Sequence, residues 1–125
     1  MRGYHARVPI ALLRLSFAAA LVAVLVLSLW PMIEPPPLST GWDKTNHVAA
    51  YLVLGLLGLP SWPDERTRVL LGLIAYGALI EVLQGLGGHR FAEWGDLAAD
   101  AIGVGLAGLL FTAWSGRRRR IAGRE

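Results

Sequence analysis

The sequence predicts an all-α fold, a four-helix bundle integral to a membrane, with both termini on the cytoplasmic side. Three observations carry this. Of 125 residues, 54% are hydrophobic and the mean hydropathy is +0.49, too apolar for an ordinary soluble domain of this size. Four apolar segments of roughly 17–23 residues each match the length an α-helix needs to cross ~30 Å of hydrocarbon. Ten of the twelve basic residues fall on one side of the resulting topology.

The first segment runs from about Val8 to Trp30. Its basic start (Arg2, Arg7, Arg14) resembles a signal peptide, but the apolar stretch is long. No small-x-small site leads into a polar mature sequence, so a retained helix is expected. Arg14 can snorkel to the interface from the first turns. Pro35-Pro36-Pro37 then reads as a stiff loop. The second segment, about Asp43 to Leu59, is the shortest and has the most polar start. Pro60 and Pro63 separate it from the third, about Val69 to Leu86. Gly85, Gly87, Gly88 and Gly95 mark the way into the fourth, about Leu97 to Trp114. Residues 115–125 form a basic cytoplasmic tail, expected to be unstructured from Arg117 onward. The whole chain, 1–125, reads as a single transmembrane domain.

Orientation follows from the arginines. With the N-terminus inside, the inner side holds Arg2, Arg7, Arg14, Arg66, Arg68, Arg117 to Arg120 and Arg124, against Asp64, Glu65 and Glu125. The outer side holds Lys44 and Arg90, against Glu34, Asp43, Glu81, Glu93, Asp96 and Asp100. The balances are +7 inside and −4 outside, which together make the formal +3. Arg117 to Arg120 acts as a stop-transfer signal that also meets anionic headgroups. The five tryptophans, Trp30, Trp42, Trp62, Trp94 and Trp114, all fall at segment ends, as interfacial rings do. The arginines flank apolar segments and form no groove with aromatics, which argues against nucleic acid. With no cysteine, disulfides, thiolate nucleophiles and thiolate metal sites are excluded.

The ionisable residues beside the last three helices gather at the outer face. Asp43, His47 and Tyr51 recur at i, i+4 and i+8 and share one helix face, with Lys44 beside them. Glu81 and Gln84 are three apart at the outer end of helix 3, and His89 and Arg90 lie in the next loop. Asp96 and Asp100 are four apart at the start of helix 4, with Gly103 next along that face. Unpaired, such charges are costly at that depth, so they are expected to meet inside the bundle. Small residues that let helices approach in lipid run along the same elements: Gly55, Gly58, Gly72, Gly77 and the Ala99-Gly103-Ala107 stripe.

Each residue also has a plainer role. Asp43 and Asp96 sit where they can cap helices. Asp100 lies a turn deeper and calls for an ion pair with Lys44 or Arg90. Lys44 and Arg90 either neutralise the acids or bind a ligand. His47, Glu81 and Asp96 are the candidates for acid–base chemistry. His47 with Asp43, Glu81 and Asp96 offers nitrogen and oxygen ligands for a divalent metal. No HExxH or other recognised metal spacing is present, and no metal or cofactor is expected.

The ordered set Asp43-Lys44-x2-His47-x3-Tyr51, Glu81-x2-Gln84 and Arg90-x5-Asp96-x3-Asp100-x2-Gly103 resembles the VanZ-like membrane protein family. The resemblance covers roughly Trp42 to Leu110; where this chain has Asp100, the family often has Asn. It implies a bacterial cytoplasmic-membrane protein of the cell envelope, in a family whose founding member is associated with teicoplanin resistance. It implies no established biochemical activity. Three expectations follow for the outer polar site: a headgroup-binding site for an envelope lipid, glycan or partner, an intramembrane enzyme acting on an outer-leaflet lipid or glycan, or a purely structural cluster.

Overall fold

The computed structural model describes residues 7–30, 39–87 and 93–123, and the side chains of 39–43 are left aside. Among the described residues it holds four α-helices: α1 (Ile10–Leu29), α2 (Ser39–Ser61), α3 (Arg66–Leu86) and α4 (Trp94–Ala122). Three of them, α1, α3 and α4, are long and apolar enough to cross a membrane. α2 is long enough but opens on Ser-Thr-Gly-Trp-Asp-Lys-Thr-Asn-His, which lowers its apolar content. That polar start supplies much of the site described below.

The apolar surface faces outward. Val22, Val26, Leu27, Leu71, Leu79, Val82, Ile102, Leu106, Leu109 and Leu110 are all exposed, and α1 buries no residue at all. Soluble monomers rarely leave so much contiguous apolar surface bare, whereas lipid tails cover it without cost. The interior is assembled from Tyr51, Leu54, Leu73 and Val104, with Leu59, Ala107 and Phe111 below them. Alongside these, the chain buries Glu81, Gln84, Asp96 and Asp100.

α2 and α4 share the most extensive interface. They run parallel: Lys44 meets Asp96, His47 meets Asp100, Tyr51 meets Gly103 and Gly55 meets Ala107. Small residues make this closeness possible. A Cβ on Gly103 would run into the Val48 carbonyl oxygen and lie 3.0 Å from the Leu52 nitrogen. A Cβ on Gly77 of α3 would lie 2.6 Å from Asp100 Oδ2, so the missing side chain makes room for that carboxylate. Gly58 packs against Phe17 and Val69, whereas Gly72 has open space and does not serve helix approach as expected.

Two boundaries differ from those expected. α2 begins at Ser39, before Asp43, so the polar stretch is helical. α4 continues through the arginine run to Ala122, which corrects the reading of an unstructured tail. Arginine is a good helix former and the segment contains no proline. Its charge stays solvated on a long stem while Arg118 lays its guanidinium 4.3 Å from the Trp114 ring centroid. Trp114 therefore sits inside α4 and not at its end. Pro35 to Pro37, His89 and Arg90 fall outside the described residues.

Candidate functional site: a buried carboxylate–histidine cluster

The heads of α2 and α4 and the tail of α3 meet at one end of the bundle. His47 lies at the centre. Its Nδ1 is 2.7 Å from Asp100 Oδ1, and its Nε2 is 3.7 Å from Asp96 Oδ2. The two carboxylates, one helical turn apart, thus bracket the imidazole. One turn earlier on α2, Lys44 Nζ donates to Asp96 Oδ1 at 3.1 Å and to Glu93 Oε2 at 3.1 Å. Gly95 gives the ammonium room, since a Cβ there would lie 3.0 Å from Nζ.

Glu81 closes the site from α3. Its Oε2 accepts the backbone N–H of Glu93 at 3.0 Å and so fixes the start of α4. Its Oε1 is buried and has no hydrogen-bond partner among the described residues. The Tyr51 hydroxyl, against Gly77 on the floor of the site, is likewise buried and unpartnered. Orphaned buried polar atoms are rare and each carries a desolvation cost, so these two leave hydrogen-bonding capacity that the described residues do not fill.

The expected groups take specific places. Lys44, His47, Tyr51, Glu81, Asp96 and Asp100 come together as the spacing anticipated. Asp96 does not cap α4: it occupies the third helical position, no side chain caps the helix, and its carboxylate is taken by Lys44. Asp100 pairs with His47, not Lys44. Gln84 is buried but turns to α1, where its Nε2 donates to the Ser28 carbonyl at 2.8 Å. The Asp43 side chain and Arg90 lie outside the described residues. Glu93, which the sequence placed only in the outer charge balance, is a direct partner of Lys44. Its position three residues before Asp96 was the available signal.

The chemistry open to this set follows from its charge. Among the described residues, Glu81, Glu93, Asp96 and Asp100 face Lys44 and a histidine. Such a set accepts hydrogen bonds from hydroxyl or amine groups, coordinates a cation, or uses His47 as a base oriented by a carboxylate. No protein-family model, no curated protein and no solved structure matches the chain.

Proposed function

We propose that this chain is a VanZ-like integral protein of the bacterial cytoplasmic membrane, with both termini inside, that binds the polar headgroup of a cell-envelope lipid or glycan. The observation that carries the reading is the pair of buried polar atoms, Tyr51 hydroxyl and Glu81 Oε1, left without a partner among the described residues inside an acid-rich cluster of an otherwise apolar bundle. A hydroxyl-rich headgroup fits an acceptor-rich site, because each sugar hydroxyl donates one hydrogen bond to a carboxylate. Lys44, half-exposed at the rim, is placed to meet a phosphate on the same headgroup. Exposed apolar helix faces on the bundle suit the lipid's chains.

The 2.7 Å pair of His47 and Asp100 favours a second reading, an enzyme acting on that lipid or glycan. There Asp100 orients His47 as the general base, with Glu81 or Asp96 as the acid.

The experiment is native mass spectrometry of the protein released from nanodiscs of bacterial lipid extract. A retained lipid of defined mass is expected, with retention reduced several-fold in Lys44→Ala and Arg90→Ala. If both variants keep the lipid as the parent protein does, the binding reading fails. A mass change in the bound lipid that disappears in His47→Gln separates the enzyme from the binder.

A further inference from the structure

We infer that His47, Glu81 and Asp100 form a divalent transition-metal site between α2, α3 and α4. One ligand atom from each of the three lies within 4.8 Å of the other two. Two bonds of about 2.1 Å span about 4.2 Å at most, so small side-chain rotations complete a common shell. Nothing else needs to move, because the tight contacts at Gly77 and Gly103 already hold the three helices together.

Each ligand is prepared for this role by its other atom. Glu81 is anchored through Oε2 to the Glu93 N–H, which leaves the buried Oε1 without a partner among the described residues. His47 presents Nδ1 toward Asp100, while Nε2 faces Asp96 Oδ2. With Nδ1 on a metal, Nε2 lies 3.7 Å from the Asp96 carboxylate, close to the outer-shell arrangement that fixes the tautomer of metal-bound imidazoles. Lys44 in turn holds Asp96 from the far side. Tyr51 is 2% exposed, and its hydroxyl, which lacks a partner among the described residues, shares the space at Gly77 with Asp100 Oδ2. It is placed to hydrogen-bond a water or hydroxide on the metal.

Charge points the same way. Glu81 is 6% exposed and Asp100 1%, both inside an apolar bundle. A neutral imidazole, two carboxylates and one divalent cation sum to zero, which removes the cost of burying the two acids uncompensated. One nitrogen and two oxygen ligands suit Zn²⁺ or Mn²⁺ better than Ca²⁺ or Mg²⁺, which take oxygen alone. The sequence already offers His47 and Glu81 as ligands, but with Asp43 and Asp96; only the packing of the three helices substitutes Asp100.

The site draws on the same Glu81 and Tyr51 atoms as the headgroup reading but does not require it, and its test uses no lipid, so the two can fail separately. The full chain, Strep-tagged and stripped with EDTA in detergent, is titrated with ZnCl₂ by calorimetry. One Zn²⁺ per chain is expected, undiminished by millimolar Mg²⁺. Glu81→Gln and Asp100→Asn should lose saturable binding, with helicity and elution volume retained. Asp96→Asn should keep the stoichiometry and weaken affinity about tenfold or more. X-ray absorption of the Zn²⁺-loaded parent protein should show one imidazole with oxygen ligands, and this does not depend on any variant folding. The inference is overturned by no saturable binding to the parent protein, by unchanged binding in both carboxylate variants, or by two or more imidazoles in the shell.

Discussion

The two ends of this bundle handle charge in opposite ways. At one end, three buried carboxylates (Glu81, Asp96 and Asp100) and a largely buried histidine converge from three helices, with the half-exposed Lys44 and the exposed Glu93 at their edge. At the other, arginines stay at the edge and lie over rings. Arg14 sits 5.0 Å from the Trp62 centroid, Arg66 4.8 Å from Phe111 and Arg118 4.3 Å from Trp114. Arg14 also donates to the Ser61 carbonyl, and Arg66 reaches Thr112 and Ser115. The difference comes from the side chains. Arginine has a long stem and is weakly hydrated, so it covers apolar surface and keeps its charge in polar surroundings. Aspartate is short, so one placed inside a helix contact must find its partner there. The carboxylate end is therefore specified by geometry, and the arginine end tolerates substitution.

That contrast can be broken at several points. Asp100→Ala should have the largest effect, about 3 kcal/mol or more, because it removes the carboxylate that holds His47. Asp100→Asn, which keeps an acceptor for Nδ1, should recover a good part of that loss. Chemical denaturation in detergent reads both; equal stability of Asp100→Ala and the parent protein would sink the account of this end. Gly103→Ala should cost about 2 kcal/mol by forcing α2 and α4 apart. Its control is Gly72→Ala, where space is open, and which should hold or raise the melting temperature.

Lys44→Met comes next, a smaller loss than at Asp100, since the lysine is half-exposed while Asp96 behind it is buried. The stability difference between parent and variant should shrink at pH values low enough to protonate the carboxylate left behind; a difference constant with pH would contradict the pairing. At the other end, Arg66→Lys should cost about 0.5 kcal/mol, the loss of stacking on Phe111 and of the forked reach to α4. Should Arg66→Lys prove as costly as Asp100→Ala, the two ends do not differ as described.

Much of the carboxylate end was legible. The i, i+4, i+8 run of Asp43, His47 and Tyr51 and the i, i+4 pair of Asp96 and Asp100 placed the charges on helix faces, because helical periodicity is local. Which acid met which base was not legible. Lys44 and His47 are three apart while Asp96 and Asp100 are four apart, and only the axial offset of α2 against α4 decides the pairing. Gln84 shows the same gap: three residues from Glu81, it rotates to α1 and leaves the site. The arginine tail was misjudged for a different reason. The sequence reads as unstructured from Arg117 onward, but α4 continues to Ala122, in keeping with the helix propensity of arginine and with Arg118 lying over the Trp114 ring.

By itself the sequence determined four helical segments, the apolar exterior and the gathering of acids at one end, since all three depend on the order of polar and apolar residues along the chain. Tertiary structure alone decided that α2 and α4, separated by a whole helix, form the closest pair. It also decided that Gly77 on α3 opens space beside both Asp100 and Tyr51. Helix contacts in an apolar bundle are chosen by where small residues coincide in space, and that coincidence exists only once the axes are set side by side.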